Sequence, residues 1–429
     1  MKYLKLGLLS AFLCCFSLKG VAADWYVSHS TGKNKNAGDT AAAPFKNIQK
    51  ALDQAEAGDT VKVAQGNYFG TMNSGNITMK KAVSLIGGFS TDFTERDVFK
   101  YLTRIQPDNN SNSTGSDHPL LRLEVKSGDI VIDGFLFDKG ESNNYHLQKG
   151  IVDGVEGGLL IHPPQVAAPG MRPNAKMPLI AGTGAGGFDG NLLIQNSLFL
   201  NGNNAAVRFQ VGGDVKVLNN VFVANVMSAM ELWGGNVQNR AQLEFAYNTV
   251  LFTWSRTSDM DDMGYGIRAM TMMDYDIHHN IIGFSSFAGV DATRDDPKRK
   301  LKIDNNVFLL NKQADLTLPG GGMFMRVWVD DFEDLEIESS EDNTAPKDLS
   351  LLAGALNTDY AAGFLDATYK EKVDYDENSP TNQFRAAMGM NKQGTITSSV
   401  SMYANKYPLD DAIKLFGAVA DVGAQLPEK

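Results

Sequence analysis

One pattern recurs along this chain and limits its fold more than any other feature. Apolar strand residues, a polar residue or pair and a second apolar burst follow one another in six segments. These are Ile130–Phe137, Leu192–Phe199, Val215–Phe222, Leu243–Val250, Tyr275–Ile282 and Leu301–Phe308. On that frame Asn196, Asn220, Asn248, Asn280 and Asn306 are spaced by 24, 28, 32 and 26 residues. A unit of this size cannot bury its own apolar face and must stack on its neighbours. The spacing predicts a β-solenoid, with coils of short strands joined by turns and stacked about 4.8 Å apart. Asparagine suits the corner because it tolerates left-handed backbone. Stacked amides also hydrogen-bond from coil to coil.

A solenoid has open ends whose apolar coil and unpaired backbone must be covered. Phe45, Ile48, Leu52 and Ala55 share one helical face, with Ala51 beside them. Pro44 precedes them and Gly58-Asp59 follows, where a helix starts and stops. Thr60–Val63 then reads as a strand. The arrangement predicts an N-terminal α-helix capping the first coil.

Several stretches carry a family resemblance: Asp24–Ser28, Asn36–Thr40, Pro44–Leu52, Ala57–Val63, Gly66-Asn67-Tyr68, Ile86–Ser90 and the closing Ala420–Ala424. Together they resemble the secreted right-handed parallel β-helix proteins of the pectate-lyase-like superfamily. The resemblance implies an all-β fold, a right-handed parallel β-helix of roughly eight to ten coils. It implies an activity only broadly, because the superfamily holds lyases, hydrolases, epimerases, esterases and binding or adhesion proteins.

Lys2 and Lys5 precede an apolar run, Leu6–Leu18, and small residues end at Ala23. Residues 1–23 read as a secretory signal peptide and 24–429 as one exported domain, periplasmic, extracellular or at the cell surface. Cys14 and Cys15 both fall in the signal, so the mature chain would hold no disulfide or thiolate metal site. The full chain has 39 basic and 50 acidic residues, a net charge of −11. Loss of Lys2, Lys5 and Lys19 brings it to −14. That balance argues against nucleic acid as a partner. A polyanionic glycan would need a local basic patch or a bridging cation. No later stretch approaches the ~20 apolar residues that span a bilayer. Oligomeric state is not encoded in any of these features.

A second strand set lies between the asparagine segments: Leu159–His162, Val207–Gln210, Met230–Trp233, Ile267–Met270 and Val290–Thr293. Alternation points Val207, Met230, Ile267 and Val290 inward, with Leu159 before them. It sends Leu160, Arg208, Glu231, Arg268 and Asp291 outward in one column and His162, Gln210, Trp233, Met270 and Thr293 in the next. Stretches 163–190, 252–263 and 333–376 break the rhythm and read as loop insertions, the first two leaving from these same coils. A sugar ring stacks on an exposed Trp, and Arg pairs bidentately with carboxylates. Trp233, Gln210 and Tyr265 are therefore candidate substrate contacts for a polysaccharide or cell-surface glycan. The competing reading is a solvated ladder in which the four charges neutralise one another.

Arg208, Glu231, Arg268, Asp291 and His162 are the catalytic candidates. In uronate β-elimination an arginine neutralises the substrate carboxylate, and His162, Tyr265 or a further Arg or Lys removes the α-proton. In glycoside hydrolysis Glu231 and Asp291 would be the pair, two coils or roughly 9–10 Å apart. The Gly-His-Gly, Arg-x-Pro-x-x-Arg and Asp-Pro-His motifs of polygalacturonases, pectate lyases and mannuronan epimerases do not occur. A non-catalytic adhesion or structural solenoid is the alternative. Asp259, Asp261 and Asp262 could hold Ca²⁺ through their oxygens, the one cofactor the sequence suggests. His278-His279 reads as a turn pair, not a zinc site. If the charged column is exposed, Arg208 and Arg268 should matter for binding and hardly at all for folding.

Overall fold

The repeat folds as three sheets. In each coil the chain passes through sheet I, then sheet II, then sheet III, and the strands of successive coils pair in parallel. A computed structural model describes residues 22–108, 118–139, 177–182, 187–235, 238–255, 263–320, 322–346, 348–369, 376–392 and 406–427. Sheet I runs from Asp24–Val27 to Leu301–Asp304 in nine strands, and sheet II from Gly66–Tyr68 to Val307–Leu309 in eight. Sheet III runs from Ile77–Met79 through Ala314–Leu318 to Met325–Val327, nine strands with only the last pair antiparallel. The architecture is a parallel β-helix.

Inward side chains of all three sheets form one continuous core. Phe137, Phe199 and Phe222 stack through it from coil to coil, with ring centroids 5.1 and 4.6 Å apart. The corner between sheets I and II carries the asparagine ladder. Asn220, Asn248, Asn280 and Asn306 are fully buried. Each side-chain Oδ1 accepts from the preceding coil, as Asn248 Oδ1 does from the Asn220 backbone N–H at 2.9 Å and its Nδ2 at 3.0 Å. Each Nδ2 also donates to a buried carbonyl, as Asn280 does to Phe245 at 2.8 Å. Asn343 completes the ladder beyond the last coil by accepting from Asn306.

One member of the expected ladder belongs elsewhere. Gln195 pairs with Leu218, so Asn196 aligns with Asn219 and Ser197 aligns with Asn220. Asn196, Asn219, Tyr247, His279 and Asn305 form a neighbouring column with φ between 50° and 59°. The sharp left-handed position and the ladder position are adjacent, and Asn196 fills the first. A second, shorter amide contact set lies at the next corner. There Asn225 Oδ1 accepts from Gly202 and Asn311 Oδ1 from Ser285.

The N-terminal helix, α1, spans Ile48–Gln54 and buries Ile48, Ala51 and Leu52 against the first coil, with Phe45 and Ala55 alongside. At the other end of the chain the structure departs from expectation. Within 333–376, read as a loop, Thr358–Tyr369 forms helix α2. Asn357 caps it through Oδ1, which accepts from the Tyr360 N–H at 2.9 Å. Helices α3 (Pro380–Ala387) and α4 (Leu409–Ile413) follow. Pro380 and the Ser379 hydroxyl start α3 as a proline-led N-terminus. Tyr360, Phe364, Phe384, Tyr407 and Phe416 pack on the outer face of sheet II, joining Leu198, Val221, Leu251 and Ile281 in a second apolar cluster. From Leu136–Asp138 to Val307–Leu309 sheet II is thus packed on both faces, while its first two strands keep Asn67 and Arg104 at the surface.

Candidate functional site

Sheet III places the expected column as alternation requires. Arg208 pairs with Glu231, Glu231 with Arg268, and Arg268 with Asp291 as direct cross-strand neighbours. The inward partners Val207, Met230, Ile267 and Val290 are all in the core. The strand preceding Val207–Val211 is Ile180–Gly182, a part of the stretch expected to be an insertion. Leu159–His162, with the candidate His162, lies outside the described residues, as do the signal segment 1–21 and Asp259, Asp261 and Asp262. Among the described residues no group of three His, Cys, Asp or Glu side chains is placed to hold a metal.

The column is not the exposed strip that alternation suggests. Glu231, Arg268 and Asp291 are 1%, 7% and 0% exposed. Arg208 Nε donates to Glu231 Oε1 at 3.1 Å. Arg268 Nε donates to Asp291 Oδ2 at 3.0 Å, and its Nη1 stands 3.7 Å from Glu231 Oε2. Asp291 Oδ1 also accepts from the Thr317 hydroxyl at 2.9 Å and the Thr293 N–H at 3.2 Å. The Tyr265 ring lies 5.4 Å from the Arg268 guanidinium carbon, and the Trp233 ring 5.9 Å from that of Arg208. Such a ladder is a structural element, because a buried charge that loses its partner is costly. The expectation that Arg268 is indifferent to folding is therefore reversed. Arg268 also fills the space between Glu231 and Asp291, where a hydrolytic water or glycosidic bond would have to sit.

Arg208 differs from Arg268. Its side chain is 41% exposed, and Glu231 engages only its Nε among the described residues. Gln210 and Trp233 are half-buried beside it on paired positions of the same two strands. The column also extends further towards the N-terminus than expected. Ala181 pairs with both Arg208 and Arg122, and Arg122 pairs with Thr78. Arg122 is half-buried and has no ion-pair or hydrogen-bond partner among the described residues. Sequence reasoning missed it because the aligned set began at Leu159. The alternating Leu121-Arg122-Leu123 was the available signal.

His278 and His279 sit at the left-handed corner. His279 has φ 54°, and its ring stacks on Tyr247 at 4.9 Å. Burial, reinforced by the neighbouring His278, holds His279 below the ordinary imidazole range. Glu244 is 3.8 Å from His278 Nε2. The pair is part of a turn that also receives the C-terminus, where the Gly423 N–H donates to the His279 carbonyl at 2.8 Å.

Residues 30–102 match a family described as protein of unknown function, DUF1565, one made up typically of β-helix proteins. The matched stretch covers the first coil, the capping helix and the start of the second coil. No curated protein matches the chain.

Proposed function

We propose that the protein is an exported carbohydrate-binding β-helix that holds an acidic glycan along the N-terminal half of sheet III, across Arg122, Arg208, Gln210 and Trp233. The observation that carries this reading is the asymmetry of the arginine column. Arg268 is consumed by Glu231 and Asp291. Arg122 and Arg208 face the same side two coils apart, about 9.6 Å at the coil spacing. They keep guanidinium N–H groups without partners among the described residues. Guanidinium forks suit carboxylates, and the half-buried Trp233 offers a ring on which a sugar stacks. Binding is favoured over hydrolysis because Glu231 and Asp291 are already engaged as ladder rungs. Elimination stays open as an outcome of the test, since a base need not come from the ladder.

The test is a screen of the purified full chain against uronate-containing and neutral polysaccharides. Trp233 fluorescence reads binding, absorbance at ~235 nm reads unsaturated products, and a reducing-end assay reads hydrolysis. The expected result is saturable binding of the acidic polymers, weakened at least about tenfold (~1.4 kcal/mol) by Arg122→Gln with Arg208→Gln. Neutral polymers should be indifferent to those changes. Equal binding by the double variant would overturn the reading and favour a purely structural or adhesive solenoid.

A further inference from the structure

Among the cavities on the described surface, three of similar size differ in charge. The groove on sheet I, about 420 Å³, has three lysines against five carboxylates. The cavity beneath the last coil, about 490 Å³, has one arginine against four carboxylates. The third lies at the N-terminal end, holds about 510 Å³ and sets Lys46 and Lys50 against Asp53 alone. It is the only one of the three with a cationic balance, in a chain whose net charge is −11.

Its walls are built for more than charge. His29 and Phe69 meet edge to face with centroids 6.4 Å apart, and His29 meets Tyr68 the same way at 5.9 Å. Phe69 is half-buried, so part of its ring is presented to the opening. Tyr68 is fixed from behind, accepting from the His29 N–H and donating to the Ala64 carbonyl. Gln49 is held by a two-way bond to the Thr78 backbone and a further bond to Asp53. That leaves Lys46 and Lys50, neither of which pairs with a carboxylate among the described residues. The rim is a tight loop in which Gly70, Met72 and Asn73 have φ of 61°, 50° and 59°. Met72 stands 81% exposed on that loop. Successive left-handed non-glycine residues cost conformational energy, and such outliers cluster where a ligand is clamped.

We infer that this cavity is a second saccharide subsite, which takes one uronate ring with its carboxylate towards Lys46 and Lys50 and its apolar face against Phe69. The volume suits a single sugar-sized ligand. Two lysines supply point-charge recognition of an anion, and an aromatic ring supplies the stacking plane. The site lies apart from Arg208 and Trp233, so it stands or falls independently of the sheet III reading. Burial and then the Lys46 ammonium hold His29 below its ordinary range. A bound carboxylate would oppose the effect of Lys46 while a bound ring would add to the burial, and either change at the imidazole makes it a local reporter.

The experiment is an NMR titration of His29 in the full chain. The probes are a uronic-acid trisaccharide, its methyl-esterified form and inorganic phosphate. The expected result is a saturable shift of the His29 ring signals with the free acid alone. Lys46→Gln with Lys50→Gln should weaken trisaccharide binding at this reporter at least tenfold, as should Phe69→Ala, while the circular dichroism spectrum stays unchanged. Arg122→Gln and Arg208→Gln should leave it alone. An unmoved His29, a double lysine variant that binds as wild type, or an esterified probe equal to the acid would overturn the proposal. Phosphate matching the trisaccharide would also overturn it, leaving an anion site without saccharide selectivity. Should Phe69→Ala lose its fold, Phe69→Leu tests the stacking plane in its place.

Discussion

Replacing Arg268 by methionine removes the guanidinium and keeps much of its apolar stem in place. Two buried carboxylates then lose a charged partner. Glu231 retains Arg208 Nε at 3.1 Å, but its Oε2 has no hydrogen-bond donor among the described residues even before the change. Asp291 retains only the Thr317 hydroxyl and the Thr293 N–H. Breaking a buried pair by removing one member costs about 3–5 kcal/mol. The contacts that survive at both carboxylates put the expected loss at the lower end, about 3 kcal/mol. Arg208→Met removes a guanidinium from a side chain that is 41% exposed but that donates the one hydrogen bond the buried Glu231 receives among the described residues, a loss of about 1–3 kcal/mol at that single carboxylate. The assay is equilibrium urea unfolding of the full chain at pH 7, followed by far-UV circular dichroism, with slopes compared as well as midpoints. The Arg268→Met deficit should shrink on acidification. Carboxylates left buried without a cation bind protons more readily in the folded state than in the unfolded one, so stability returns as pH falls. Glu231→Gln and Asp291→Asn added to Arg268→Met should recover most of the loss. An Arg268→Met chain within about 1 kcal/mol of wild type would refute the reasoning, and so would one no less stable than Arg208→Met.

Asn280→Ala strands the Asn248 N–H and the Phe245 carbonyl in the core; at about 1–3 kcal/mol per orphaned group, urea unfolding should show a loss of about 2–6 kcal/mol. Asn196→Gly, at φ 50° and outside the ladder, should cost far less, and equal losses would contradict the register. Burial pushes the Asp315 carboxyl up to about 6, against the lowering effect of bonds from Asn311 and the Val329 N–H. The folded state therefore takes up this proton more readily than the unfolded chain. The stabilisation is complete below about pH 4 and lost as pH rises through 6, up to about 3 kcal/mol. Asp315→Asn should flatten that part of the pH profile, and an unchanged profile would count against it. Gly423 has φ 72°, and a Cβ there would lie 2.6 Å from Ile281 Cδ1. Gly423→Ala should release the C-terminal segment, read as faster proteolysis after residue 406 and lost exchange protection of the Gly423 amide.

The parts of this fold that were legible are those governed by short-range periodicity. Alternation in Val207–Val211 assigns three side chains to the core and two to the outside, and parallel stacking then aligns Arg208, Glu231, Arg268 and Asp291. Alternation gives direction and not depth, so the burial of that column could not be read from it. The asparagine register failed for a local reason. The left-handed corner and the ladder position adjoin, and both favour asparagine. Asn219-Asn220 and Asn305-Asn306 fill both, whereas Asn196 fills only the first and Asn248 only the second. The helical cover of sheet II did leave a trace. Leu198–Leu200 and Val221–Val223 are apolar at successive positions instead of alternate ones, as expected of strands buried on both faces.

The three faces of the β-helix leave few places for an anionic ligand. From Leu136–Asp138 onwards sheet II is covered by α2, α3 and α4. The groove of sheet I has more carboxylates than lysines. On sheet III the column is self-neutralised from Glu231 to Thr317, and past Thr317 it ends on the exposed Arg326 of the antiparallel last strand. Towards the N-terminus the column runs through Arg208, then Arg122, then Thr78. Ile77, the neighbour of Thr78, lines the cavity of Lys46 and Lys50. Ile77 reaches the cavity from the core side of its strand, whereas the column ends on the outer side at Thr78. Binding at the two places should be cooperative for a chain long enough to span them and independent for shorter ones.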